Sequence, residues 1–150
     1  MTKIIIIFGL VLVLFAGFVF YQFANPLQPQ TKKITINGHT FTAEVAQTAK
    51  AQQIGLTKYD SLPVEKGMLF PFAKAGEYAF WMRDMKFPID LLFIKENTIV
   101  AVIENAPPAK ASDTNIPTYG EDITSDAVLE ITAGLSKKYE IKQGDKIVIK

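Results

Sequence analysis

The sequence predicts a mainly β domain, a β-sandwich or barrel-like fold with one or two short helices, preceded by an N-terminal transmembrane helix. Three observations carry this prediction. Short apolar runs recur between turn residues along most of the chain, the pattern of all-β sandwiches and barrels. Asn37-Gly38 stands between two alternating segments, a strong hairpin signal. Ile4 to Tyr21 is an unbroken run of 18 residues without a charge, close to the ~20 apolar residues that span a hydrocarbon core.

The elements follow in order. Residues 1–24 form a signal anchor: Ile, Val, Leu and Phe fill it, Gly9 and Gly17 are tolerated in a membrane helix, and Tyr21 sits where an interfacial aromatic belongs. A cleaved signal peptide is the competing reading, but a cut after Ala24 or Ala16 leaves Gln22 or Leu14 at the position three residues before it, where a small residue is needed. A three-residue N-terminal tail is expected to stay inside, which puts the globular domain outside the cytoplasm on a single-pass cell-membrane protein. Residues 25–33 (NPLQPQTKK) read as a polar, Pro-containing linker. Residues 34–150 are the β-rich domain.

Within that domain Ile34 to Val45 reads as a hairpin, and Thr48 as the N-cap of a short helix closed by Gly55. Leu56 to Lys66 is expected to be loop. Gly67 to Phe72 and Tyr78 to Met82 are two short strands linked by residues 74–77. Leu91 to Ile94 and Ile99 to Ile103 make a second hairpin around Lys95-Glu96-Asn97. Asn105 to Thr124, with Pro107, Pro108, Pro117 and Gly120, is a long stretch without regular structure and therefore a functional candidate. Val128 to Ile131 is a strand, Ala133 to Tyr139 a helical turn, and Lys146 to Ile149 a closing strand after the Gly144 turn.

Composition narrows the chemistry. Lys3 is the only charge in the first 24 residues, so the rest of the chain carries 15 basic and 15 acidic residues. That balance gives no electrostatic footprint for a nucleic acid. The chain has no cysteine and a single histidine, His39, which excludes disulfides, thiolate metal sites and paired-His chemistry. No motif surrounds any serine as a nucleophile elbow would. Asp113, Glu121, Asp122 and Asp126 lack the spacing of a calcium loop. We therefore expect no metal site and no cofactor.

Several short motifs occur in a fixed order: Gly55-Leu56, Gly67-Met-Leu-Phe70, Phe80-Trp-Met-Arg83, Pro88-Ile-Asp90, Pro117-Thr-Tyr119, Val128-Leu-Glu130 with Ala133-Gly134, and Gly144-Asp145. In these the chain resembles the uncharacterised prokaryotic family known as domain of unknown function 192, over roughly residues 40–149. The resemblance implies a small, mainly β domain, often behind an export or anchor segment, with no established reaction or ligand. The chain departs from the family pattern at Thr57 and Tyr59, where Met and Arg are usual, and at Asp84-Met85, where Asn-Thr is usual.

Two sets of residues are candidates for function. Trp81, Arg83 and Asp84, together with Tyr119 at the end of the proline-rich stretch, offer aromatic faces and a guanidinium fork suited to a carboxylate or phosphate. The plainer alternative has Trp81 and Met82 alternating into the core and Arg83 paired with Asp84, Asp90 or Glu130. Asp90 and Glu130, each embedded in apolar sequence, are the acid–base pair if the protein is an enzyme. The expected function is a membrane-anchored, extracytoplasmic binding or accessory module for a small glycan or peptide-like ligand, held to the bilayer through residues 4–21. An envelope hydrolase using the two carboxyl groups, and a structural or assembly partner of another protein, are the alternatives.

Overall fold

The computed structural model describes residues 12–21, 29–110 and 112–150. Residues 12–21 are helical (α1), and Leu12, Phe15, Phe18 and Phe20 on them are exposed. Among the described residues no helix is long and apolar enough to cross a membrane. Of the predicted anchor, residues 1–11 and 22–24 lie outside the described residues, as do residues 25–28 of the linker.

β1 (Thr31–Ile36) and β2 (His39–Val45) form the expected hairpin. Asn37 and Gly38 both adopt positive φ, 49° and 81°, as a tight primed turn requires. α2 (Ala49–Ile54) starts where Thr48 Oγ1 accepts the Ala51 N–H at 3.1 Å and ends at Gly55, whose φ of 52° suits a residue without a side chain. A 3₁₀ turn at Gly55–Lys58 follows. This crossover lets β3 (Lys66–Glu77) run parallel to β2, while every other ladder of the main sheet is antiparallel. β5 (Ile89–Lys95) and β6 (Thr98–Ala106) make the second expected hairpin, again through two positive-φ residues, Glu96 and Asn97. β8 (Thr124–Thr132) lies between β5 and β3. After the short α3 (Leu135–Lys138), β9 (Ile147–Ile149) pairs with β1.

The seven strands run in the order β6-β5-β8-β3-β2-β1-β9. The two ends of that order meet. Ile99 N–H donates to Asp145 O at 2.9 Å, Gly144 N–H to Ile99 O at 2.8 Å, and Ile147 N–H to Asn97 O at 2.9 Å. The domain is one sheet curled back on itself, the barrel-like member of the expected pair rather than two sheets face to face.

Strand alternation divides the core in two. Ile34, Ile36, Phe41, Leu92, Leu129 and Ile131 point into the curl, closed at one end by Leu135 and Ile141. Met68, Phe70, Leu91, Phe93 and Val128 point outward and are covered by Leu56 and Met82. The covering layer includes a small second sheet, β4 (Phe80–Trp81) on β7 (Thr118–Tyr119), which pairs Phe80 with Tyr119 and Trp81 with Thr118. The stretch expected to lack regular structure thus contains β7. Gly120, at φ +91°, presses its backbone onto Phe93: a Cβ there would stand 2.3 Å from Phe93 Cε1. Residues 74–77, expected as a link, instead continue β3 past an irregularity between Pro71 and Gly76.

Candidate functional site

Asp90 and Glu130 are both buried, and the strand register separates them. Asp90 lies opposite Ile131 and Leu91 opposite Glu130 on the β5–β8 ladder. Residues opposite each other share a face, and neighbours along a strand do not. Asp90 therefore belongs to the inner face and Glu130 to the outer one. The structure does not bring them together as an acid–base pair.

Asp90 is fully engaged. Its Oδ1 accepts the Asn105 N–H at 2.8 Å and the Gly134 N–H at 3.1 Å, and its Oδ2 accepts the Ser136 N–H at 2.9 Å and the Ser136 hydroxyl at 2.6 Å. The carboxyl ties the end of β6 to the turn that begins α3. With every donor supplied by the fold, it has the chemistry of a structural fastener.

Glu130 is the opposite case. It sits between Met68 of β3 and Leu91 of β5, neither of which can hydrogen-bond strongly to it. Its Oε2 is buried with no hydrogen-bond partner. Desolvation raises its pKa from 4.5 to about 8. At neutral pH the group holds its proton and can donate a hydrogen bond.

Glu130 lines a pocket of about 260 Å³. Gln52 to Thr57 of α2 and the 3₁₀ turn form one wall. Phe70 and Phe72 of β3, with Tyr78 to Trp81, form another, and Arg83 and Met85 stand beside them. The aromatic wall is braced. Phe72 stacks on Tyr78 with centroids 3.5 Å apart, and Phe70 meets Phe80 edge-on at 5.2 Å. Tyr78 donates its hydroxyl to Lys74 O at 2.8 Å. Among the described residues Arg83 makes no ion pair; its guanidinium lies over the Trp81 ring, 4.8 Å from the centroid. Trp81 is 55% exposed, so the two together present an open cation–aromatic surface.

The sequence candidates are thus distributed unequally. Trp81, Arg83 and Glu130 line the pocket. Asp84 is exposed at φ 59° with its N–H on Ala109 O, and Tyr119 is half-buried in the β4–β7 ladder behind the aromatic wall. Arg83 pairs with none of Asp84, Asp90 or Glu130. The wall from Gln52 to Thr57 is not among the candidate site residues; the Gly55-Leu56 motif and the departure at Thr57 are its traces in the sequence. Thr57 and Met85, two of the departures from the family pattern, line the pocket, whereas Tyr59 donates to Glu44 Oε2 at 2.5 Å. Burial acts to raise the Glu44 pKa, but bonds from Lys58 and Tyr59 and the Lys58 charge outweigh it, and the net shift is downward. A roomier hollow of about 430 Å³ beside this Glu44 cluster therefore presents a carboxylate whose partners are already in place.

Among the described residues no group of three or more His, Asp or Glu side chains has the arrangement to hold a metal ion. Asp113 Oδ2 accepts the Lys110 N–H, Asp126 Oδ2 the Glu96 N–H, and Glu121 Oε1 the Thr118 hydroxyl. His39, the sole histidine, stacks on Tyr139 with centroids 3.8 Å apart.

Comparison with known proteins agrees with this architecture. The family model DUF192, described as Uncharacterized ACR, matches residues 32–149. No curated protein matches the chain. A crystal structure of a candidate transcription regulator from Sinorhizobium meliloti 1021 is similar at 27% identity and a TM-score of 0.72, covering 83% of this chain and 98% of that one. A protein of unknown function from Novosphingobium aromaticivorans DSM 12444 is similar at 32% identity and a TM-score of 0.68, covering 83% and 89%.

Proposed function

This chain belongs to the DUF192 family, and from that premise we propose that its domain is a small-ligand binding module, taking a glycan or peptide-like molecule in the pocket between the 3₁₀ turn and β4. The observation that carries this reading is Glu130. A buried carboxyl with an unpartnered oxygen costs stability, and here it opens onto a pocket rimmed by an exposed tryptophan and an uncommitted arginine. Polar groups converging in a concavity with aromatic walls are the ordinary form of a ligand site.

We extend the proposal to location. The apolar run at 4–21 anchors the protein as a single-pass membrane protein, with the domain outside the cytoplasm. The exposed phenylalanines of α1 support this, since they suit lipid better than water. The balanced charge argues against a nucleic-acid partner. A hydrolase reading that needs both Asp90 and Glu130 is not favoured, because the sheet stands between them.

Trp81 is the only tryptophan of the chain, so it reports on the pocket directly. Titration of the full chain in detergent with N-acetylglucosamine oligomers and short peptides is expected to change its emission saturably, and Arg83→Met to weaken the response. A response that Glu130→Leu and Arg83→Met both leave untouched places binding elsewhere and ends this reading.

A further inference from the structure

The lining of the pocket also defines what its ligand carries. Arg83 and Glu130 are its only residues of charged type. We propose that the pocket selects small acids bearing an acyl-amide group, with the carboxylate held by Arg83 and the amide carbonyl hydrogen-bonded by Glu130. This inference rests on the binding reading above and deepens it.

The argument begins with Arg83. Among the described residues its guanidinium makes no ion pair and lies over Trp81, 4.8 Å from the ring centroid, and its planar fork suits two parallel bonds to a carboxylate. A neutral ligand would leave that fork unused and a cation would be repelled. At the other end, the buried Glu130 oxygen lacks a partner. Held neutral by desolvation, the carboxyl has an O–H to donate, which an ionised one lacks, and a carbonyl is a group that receives it. Gln52 on the opposite wall is partly engaged, its Nε2 donating to Pro71 O at 3.3 Å. Between the two ends Leu56, Phe70, Phe72 and Phe80 offer surface suited to the carbon body of the acid, beside the neutral polar Gln52, Gln53 and Thr57.

Ionised Glu130 would lose its donor and repel the ligand's carboxylate, so affinity is expected to fall as pH rises through about 8. The charged neighbours do not obscure this. On β2 the nearest is Glu44, tied to Lys58 and Tyr59 of the crossover; β3 and β5 present Met68 and Leu91; Arg83, just after β4, is the other charged residue of the pocket.

Amide-bearing acids come from peptides and from acidic sugars, and two matched pairs distinguish them: N-acetylleucine against N-acetylleucinamide, and N-acetylmuramic acid against N-acetylglucosamine. Trp81 emission of the full chain in detergent is the readout. At least one acid is expected to bind about tenfold more tightly than its neutral partner at pH 6. Arg83→Gln should erase that preference. Glu130→Gln, which keeps a donor at every pH, should bind with an affinity flat from pH 6 to pH 9.5, while the wild type weakens by about tenfold over that range. If acids and neutral partners bind alike, the selectivity is refuted while the binding module stands. If none of the four binds, both readings fall.

Discussion

The two faces of the curled sheet treat a buried carboxyl in opposite ways. On the inner face Asp90 receives four hydrogen bonds from Asn105, Gly134 and Ser136, all supplied by the chain around it. On the outer face, one step across the same ladder, Glu130 has an oxygen with none. Burial alone therefore says little about role. The count of donors within reach separates a group that holds the fold together from one the fold tolerates for another purpose.

At a fixed neutral pH the largest expected effect of a substitution sharpens the inner side of this comparison. Asp90→Ala orphans four donors at once and should cost about 4 kcal/mol or more in urea melts. If the loss is under about 1 kcal/mol, Asp90 is no fastener and the contrast collapses. Next, the covering layer that hides Glu130 depends on Gly120. Gly120→Ala forces a Cβ onto Phe93 at a positive φ and should cost about 3 kcal/mol, measured the same way, with Trp81 emission shifting as β4 is displaced.

Glu130 gives the third. Its folded pKa is raised from 4.5 to about 8 by desolvation. Between those values the folded state holds a proton that the unfolded chain has released, so stability falls as pH rises, by up to about 1.4 kcal/mol per unit, and levels off above the folded value. Glu130→Gln should flatten this descent and leave the variant the more stable protein at pH 9. Equal slopes for wild type and variant would show that Glu130 is not held neutral. The smallest effect is that of Arg83→Met, which breaks no ion pair and should change stability by less than about 0.5 kcal/mol while weakening ligand response. A large loss of stability would turn Arg83 into a structural residue.

Much of the fold was legible because the chain obeys local rules. Asn37-Gly38, Thr48, Gly55 and the turn at Asn97 each do what their side chains and backbone freedom dictate. What escaped reading is non-local. Nothing in Lys66 to Glu77 announces that β3 pairs in parallel with β2, or that residues 118–119 return to pair with β4. The site was half legible for the same reason. Trp81, Arg83 and Glu130 stand out by chemical type, but Asp90 and Glu130 look alike in sequence, each a carboxyl amid aliphatic residues. Only the register, which puts one on each face, tells them apart.

The meeting of β1 with β9 has a consequence for how the domain forms. β1 is made first of the strands and β9 last, yet they are neighbours, and the residues just before β9 also seal the far edge at Ile99. Contacts between such distant parts of a chain form slowly. Until the segment from Gly144 to Ile149 has emerged, the nascent sheet exposes two open edges able to capture another strand. Loss of those few residues would remove little of the core and still turn a self-closed domain into one prone to join its neighbours.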